Sequence, residues 1–236
     1  MEPRFFLEGE LRAGETLALP ESVARHARVL RLREGDPVVL FNGQGGEFHG
    51  VFSLRNAPAV KIGKHFPVER ESPLSLTLAQ GISSGEKMDF TVQKAVELGV
   101  AAIQPLLCEK SVVRLDGKRA AAKAAHWRRV AIAACEQCGR NRIPEVFSPL
   151  PVHAFQPDGM SARLLLSPRG GKSFREVKTD PLITLAAGPE AGFSETESGL
   201  LQRKGFTPCT LGPRVLRTET AALAALAALN ALRGDF

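Results

Sequence analysis

Nowhere does this chain stay apolar for the roughly 18 residues that a membrane-spanning helix needs. Its most apolar stretch, Ala221–Leu229, is too short and too rich in alanine. No leader peptide reads from the start either: Met1-Glu2-Pro3-Arg4 runs into a short apolar pair and then charge. Cysteine is scarce, and of the 4 present only Cys135 and Cys138 lie close together. So few thiols argue against a disulfide framework and for a reducing compartment. The expectation is a cytoplasmic protein with no membrane partner. Also missing are the G-x-G-x-x-G loop and the lysine-bearing Walker loop, which disfavours a dinucleotide or triphosphate site. No internal repeat or low-complexity tail is present.

What is there suits a chain with a real core. At 236 residues it can hold one large domain or two small ones, and 44% hydrophobic with 24% charged is ordinary globular composition. The net charge of +6 and a pI near 9.4 favour a polyanionic partner, nucleic acid before anionic membrane.

The chain changes grammar near residue 70. Before it, Val38–Phe41 and Glu47–Phe52 flank the glycine-rich turn Asn42–Gly46, which predicts a hairpin. Glu21–Leu32 carries Val23, Ala27 and Leu30 on one helical stripe. Residues 58–73 read as a last strand and a linker. This part, 1–70, is expected to be a small β-barrel-like module. From Leu74 onward strands and helices alternate, which predicts an α/β domain over 74–236 with a mostly parallel sheet. The strands are Leu74–Leu78, Ala101–Leu107, Arg163–Leu166, Leu182–Ala187 and Phe206–Leu211. The helices are Glu86–Leu98, Ala120–Gln137 and the alanine-rich end.

Three loops stand out: Ser167–Gly171, Gly188–Gly192 and Leu211–Arg217. Each follows a strand, so all three should emerge at one sheet edge, where α/β proteins bind ligands. Glycine and proline there let backbone approach a ligand closely. The third loop also carries Arg214 and Arg217 ahead of a helix, which suits an anionic or carbonyl-rich substrate. Thr218 can cap that helix and Glu219 suits its first turn. Cys135-x-x-Cys138 ends a helix, whereas a redox pair would open one, and zinc would need two further ligands. We read that pair as packing. Lys87, Lys94 and Glu97 share a helix face that alone reads as solvated surface. Glu136, Gln137, Arg140, Asn141 and Arg142 crowd a helix end and suit RNA or simple capping. Arg25, His26, Arg28, Arg31 and Arg33 crowd one short segment, which favours phosphate contact.

The residues also carry a family resemblance. Gly188-Pro189-Glu190-Ala191-Gly192-Phe193 resembles a G-P-E-G-G-F motif, and Leu211–Ala221 resembles L-G-x-R-I-L-R-x-E-T-A. Both motifs belong to the RsmE-type methyltransferases. Lys94–Gly99 is similar to that family's K-x-x-E-L-G helix, Gln137–Arg140 to Q-x-G-R, and His26–Asp36 to H-x-x-x-V-L-R-x-x-x-G-D. One position departs: Ala191 stands where the motif has glycine, a cost of about 1 kcal/mol if that position needs positive φ.

The resemblance implies a PUA-like RNA-binding barrel at 1–70. It implies a SPOUT-type α/β domain with a deep trefoil knot at 74–236. It also implies a homodimer that needs no metal. The expected activity is S-adenosylmethionine-dependent methylation of uracil N3 in 16S ribosomal RNA of the small subunit. Cofactor contacts would come from Leu166, Gly188, Pro189, Glu190, Gly192, Leu211, Gly212 and Leu216. Arg217, Arg214 and Glu219 would be catalytic. Arg25, Arg28, Arg31, Lys87, Lys94 and Arg140 would meet RNA. Two alternatives remain: a SPOUT enzyme with another RNA target, and a non-enzymatic RNA-binding or ribosome-assembly protein. An unrelated Rossmann-type enzyme ranks third.

Overall fold

The computed structural model describes residues 2–113, 115–168, 170–177 and 180–236. It divides into two compact units, Met1–Glu71 with Cys135–Ile143, and Ser72–Ala134 with Pro144–Phe236. The expected uninterrupted span 74–236 is thus corrected: residues 135–143 group with the amino-terminal unit. Long-range polar pairing, which sequence spacing does not display, is the reason.

The first unit holds β1 (Arg4–Phe6), β2 (Thr16–Ala18), α1 (Glu21–Val29), β3 (Pro37–Phe41), β4 (Glu47–Ser53) and β5 (Ala59–Phe66). The ladder runs β1-β3-β4-β5-β2, with β1 and β3 parallel and the other pairs antiparallel. Among the described residues no pairing joins β1 to β2, so backbone hydrogen bonds do not close the expected barrel. Alternating residues Val38, Leu40, Val60 and Ile62 turn inward with Phe5, Leu7 and Phe52. Helix α1 adds only Ala24 and Ala27 to that core as fully buried residues.

Beside this core lies a buried ion network. Arg4 Nη1 donates to Glu47 Oε2 at 2.7 Å, and Arg4 Nη2 donates to Asn141 Oδ1 at 2.6 Å. Arg70 Nη1 donates to Glu47 Oε2 at 2.9 Å, and Asn141 Nδ2 donates to the Val68 carbonyl at 2.7 Å. Burial opposes the charge on Glu47, but hydrogen bonds from Arg70, Arg4 and Asn141 outweigh it and hold the carboxyl down to about 2. These bonds draw residues 135–143 onto the unit.

The second unit opens with β6 (Ser75–Gly81), α2 (Gly85–Glu97), β7 (Ala102–Leu107) and α3 (Gly117–Cys138). It continues through β8 (Glu145–Val146), β9 (Leu150–Pro151), β10 (Ala162–Leu166), β11 (Lys172–Ser173) and β12 (Leu182–Ala187). It closes with α4 (Glu195–Arg203), β13 (Thr207–Thr210) and α5 (Thr218–Arg233). The sheet order is β11-β13-β10-β12-β6-β7-β8, with β9 also on β7, and every pair is parallel. Parallel strands place the carboxyl ends of β6, β10, β12 and β13 at one edge.

Leu76, Leu78, Ile103, Leu164, Ile183 and Leu185 are buried along these strands, as expected of a sheet covered on both faces. In α2, Met88, Val92, Ala95 and Val96 recur at helical spacing and are fully buried. Ala222, Ala225, Leu226 and Leu229 of α5 are buried as well. Asn230 Nδ2 donates to the Leu98 carbonyl at 2.7 Å, giving the end of α2 a hydrogen-bond partner. No helix among the described residues is long and apolar enough to cross a membrane.

Candidate active site

The edge formed by β10, β12 and β13 opens into a cavity of about 760 Å³. Its walls are the three loops that the sequence singled out. Leu165 and Leu166 end β10, and Ser167 and Pro168 follow it. Ala187 ends β12, and Gly188–Phe193 follow it. Thr210 ends β13, and Leu211 and Arg214–Glu219 follow it. Arg169 of the first loop lies outside the described residues. Of the expected ligand-contacting residues, Leu166, Gly188, Pro189, Glu190, Gly192, Leu211 and Leu216 all line the cavity. Gly212 does not; its φ of +108° turns the loop instead.

Close backbone approach explains the second loop. A Cβ on Gly188 would sit 2.9 Å from the Phe193 nitrogen and 3.0 Å from the Gly192 carbonyl carbon. Gly192 itself has φ +71°. Ala191 is not at positive φ, where Arg31 is the one non-glycine among the described residues. The strain that its departure from the motif raised is therefore absent.

A buried amide ties two of these loops together. Gln80, fully buried at the end of β6, donates from Nε2 to Thr218 Oγ1 at 3.0 Å and to the Gly188 carbonyl at 3.3 Å. The Thr218 hydroxyl donates to the same Gly188 carbonyl. A hydroxyl has one proton, so the group facing its oxygen must be a donor, and this fixes the amide orientation. Thr218 is thus not the helix cap that the sequence suggested. Arg217 occupies that position, with no side-chain cap bond, and Thr218 opens α5 while bonding the facing loop.

Charge in the cavity falls into two kinds. Glu190 Oε1 accepts from the Ser84 N–H at 3.0 Å and from Lys87 Nζ at 3.3 Å. Burial disfavours its charge, but these bonds prevail and its carboxyl titrates below the usual range. By contrast, Arg214 and Arg217 have no carboxylate partner among the described residues. Glu219 also lines the cavity, and its Oε2 is buried without a hydrogen-bond partner.

The expected RNA contacts are dispersed. Lys87 lines the cavity, while Lys94 pairs with Glu97 at 2.7 Å. Arg25, Arg28 and Arg31 are exposed around the end of α1, with Arg28 paired to Glu21 and Arg31 at φ +57°. Arg140 is a correction: it is 4% exposed and donates to Glu71, so its guanidinium is not offered to a ligand. Among the described residues no His, Cys, Asp and Glu cluster could hold a metal ion. The thiol of Cys135 is pushed up to about 12 by burial, which suits a packing role.

Sequence reasoning missed Gln80 and the cavity-lining Ser198 and Gln202 of α4. A lone amide ending an apolar strand was one available signal. The pair Ser194 and Glu197 was another: it forms a reciprocal capping box at the start of α4.

Comparison with known proteins agrees with this geometry. The RNA methyltransferase domain family matches residues 70–230, and the RNA methyltransferase PUA domain family matches residues 19–62. Ribosomal RNA small subunit methyltransferase E of Buchnera aphidicola (from Acyrthosiphon pisum) is 33% identical, covering 99% of this chain and 95% of its own. The Bacillus subtilis protein of the same name is 31% identical over 98% and 99%. Among solved structures, a methyltransferase from Legionella pneumophila in complex with bound SAM has TM-score 0.95 at 41% identity over 100% of both chains. Ribosomal RNA small subunit methyltransferase E from Neisseria gonorrhoeae, bound to S-adenosyl methionine, has TM-score 0.92 at 38% identity over 100% of both chains. The chain belongs to the ribosomal RNA small subunit methyltransferase E family of RNA methyltransferases, with a PUA-type amino-terminal part.

Proposed function

We propose that this protein methylates N3 of a specific uridine in 16S ribosomal RNA of the small subunit, using S-adenosylmethionine. The observation that carries the reading is the cavity itself, where three loop walls bring Arg214, Arg217 and the unpartnered Glu219 oxygen together. Its volume of about 760 Å³ fits a small-molecule site. Bound S-adenosylmethionine supplies an already activated methyl group. Leu166, Leu211 and Leu216 offer it apolar contact, and Gly188, Pro189, Gly192 and Gly212 shape the backbone around it. Glu190 holds its loop to Ser84 and Lys87.

The chain's residues must align the base and manage one proton. Uracil N3 is a poor nucleophile until its proton leaves. Glu219 Oε2 is the proton acceptor that the cavity offers. The negative charge left on uracil spreads to O2 and O4, where Arg217, and after it Arg214, stabilises it. We read the three loops as the walls of a SPOUT-type trefoil knot. We read the protein as a homodimer whose RNA site is shared between subunits. Arg25, Arg28, Arg31, Lys87 and Lys94 would then meet phosphates. The test is methyl transfer from labelled S-adenosylmethionine into small subunits that lack the modification, followed by mass mapping of digested RNA. A single 3-methyluridine in 16S RNA is expected. Label on a ribose or another base would overturn the specificity. No incorporation with RNA binding intact would make this an RNA-binding protein without turnover.

A further inference from the structure

A dense run of positive charge lies outside the cavity. Residues 117–134 of α3 contain Lys118, Arg119, Lys123, Arg128 and Arg129 and no acidic residue. Helix stability does not call for this pattern. Cations suit the last turn of a helix, where α3 has none, and oppose the first turn, where Lys118 and Arg119 stand. Asp116 answers only part of this. Its carboxylate accepts from the Arg119 N–H at 3.0 Å and lies 3.7 Å from the Arg119 guanidinium. Lys118, Lys123 and Arg129 have no ion-pair partner among the described residues. Lys118 and Arg129 are exposed, three turns and about 16 Å apart along one helical row. Ala122 and Ala125 lie between them, which leaves a low shelf beside the charges.

The topology starts this helix on the side of the sheet edge that holds the cavity. Helix α3 follows β7, whose carboxyl end shares the edge with β6 and β12. In the connection, Ser111 Oγ donates to the Ile82 carbonyl at 2.9 Å, just past the end of β6. Gly81, one residue earlier, packs against Pro189 of the cavity loop.

We propose that the Lys118–Arg129 row of α3 binds the phosphate backbone of RNA flanking the base held in the cavity. The proposal rests on the RNA-methylating reading of that cavity. It assigns to α3 a share of the affinity that the cluster around α1 was expected to supply.

The test is the double variant K118A/R129A. Alanine is the strongest helix former, and removing Lys118 relieves the first turn, so the variant should melt no lower than the parent. RNA binding is measured by fluorescence anisotropy on a labelled small-subunit RNA fragment across a salt series, with methyl transfer alongside. The expected result is a weaker Kd whose dependence on log salt is shallower by roughly one to two units. KM for the subunit should rise about tenfold, with kcat and the Kd for S-adenosylmethionine unchanged. An unaltered salt slope and KM would overturn the proposal. So would unaltered RNA binding together with loss of binding to polyglutamate, which would make the face a site for an acidic protein. A parent protein that transfers no methyl group would instead count against the proposed function, and the salt slope would still judge the face.

Discussion

Two arginine-rich regions of this molecule treat charge in opposite ways. In the amino-terminal unit, Arg4, Arg70, Arg140 and Arg142 each reach a carboxylate at Glu47, Glu71 or Glu69. At the cavity, Arg214 and Arg217 meet no carboxylate among the described residues, and Glu219 keeps an unpartnered oxygen. The first pattern fixes structure, because a buried charge is tolerated only when it is matched. The second leaves charge for something that arrives. Arginine count alone would favour the first region, which carries four against two at the cavity.

Substitutions at five positions test that contrast. The largest effect on stability should follow Glu47→Gln, which leaves Arg4 buried without its anion. A loss of about 3–5 kcal/mol in chemical denaturation is expected, with the cavity chemistry intact in whatever folds. The parent should also be acid-sensitive there. Glu47 titrates near 2 when folded against an ordinary 4.5, so its contribution is complete above pH 4.5 and is lost as pH falls toward 2. The variant should lose that part of the acid transition. Next comes Glu219→Gln, expected to lower kcat roughly a hundredfold with melting temperature unchanged; full activity would remove Glu219 as proton acceptor. Gln80→Leu should follow, raising the Kd for S-adenosylmethionine about tenfold through loss of the bond between the Gly188 loop and α5. Thr218→Val should do the same in calorimetry and Thr218→Ser should not. Smallest is Ala191→Gly, where relaxed backbone should change stability by less than about 1 kcal/mol and cofactor affinity hardly at all.

Much of the second unit was legible because strand and helix periods differ. Leu76 and Leu78 alternate, Met88, Val92, Ala95 and Val96 recur at helical spacing, and these residues are buried. The three cavity loops were legible because glycine and proline mark turns after apolar strands. Three features were not. Residues 135–143 join the first unit through Asn141, which bonds to Arg4 and to the Val68 carbonyl far away in sequence. Arg140 read as an RNA contact because a cation's burial depends on a distant partner, here Glu71. Thr218 read as a cap because local rules favour threonine there, but the Gly188 carbonyl and Gln80 compete for its hydroxyl and win.

The measurement that tests the central contrast most directly is methyl transfer by Arg217→Ala at saturating S-adenosylmethionine, read as 3-methyluridine in small-subunit RNA, beside a thermal melt. The account predicts that kcat falls about a hundredfold to a thousandfold while the melt stays with the parent. An unchanged kcat would contradict it, and would put the unpaired cavity arginine with the structural ones.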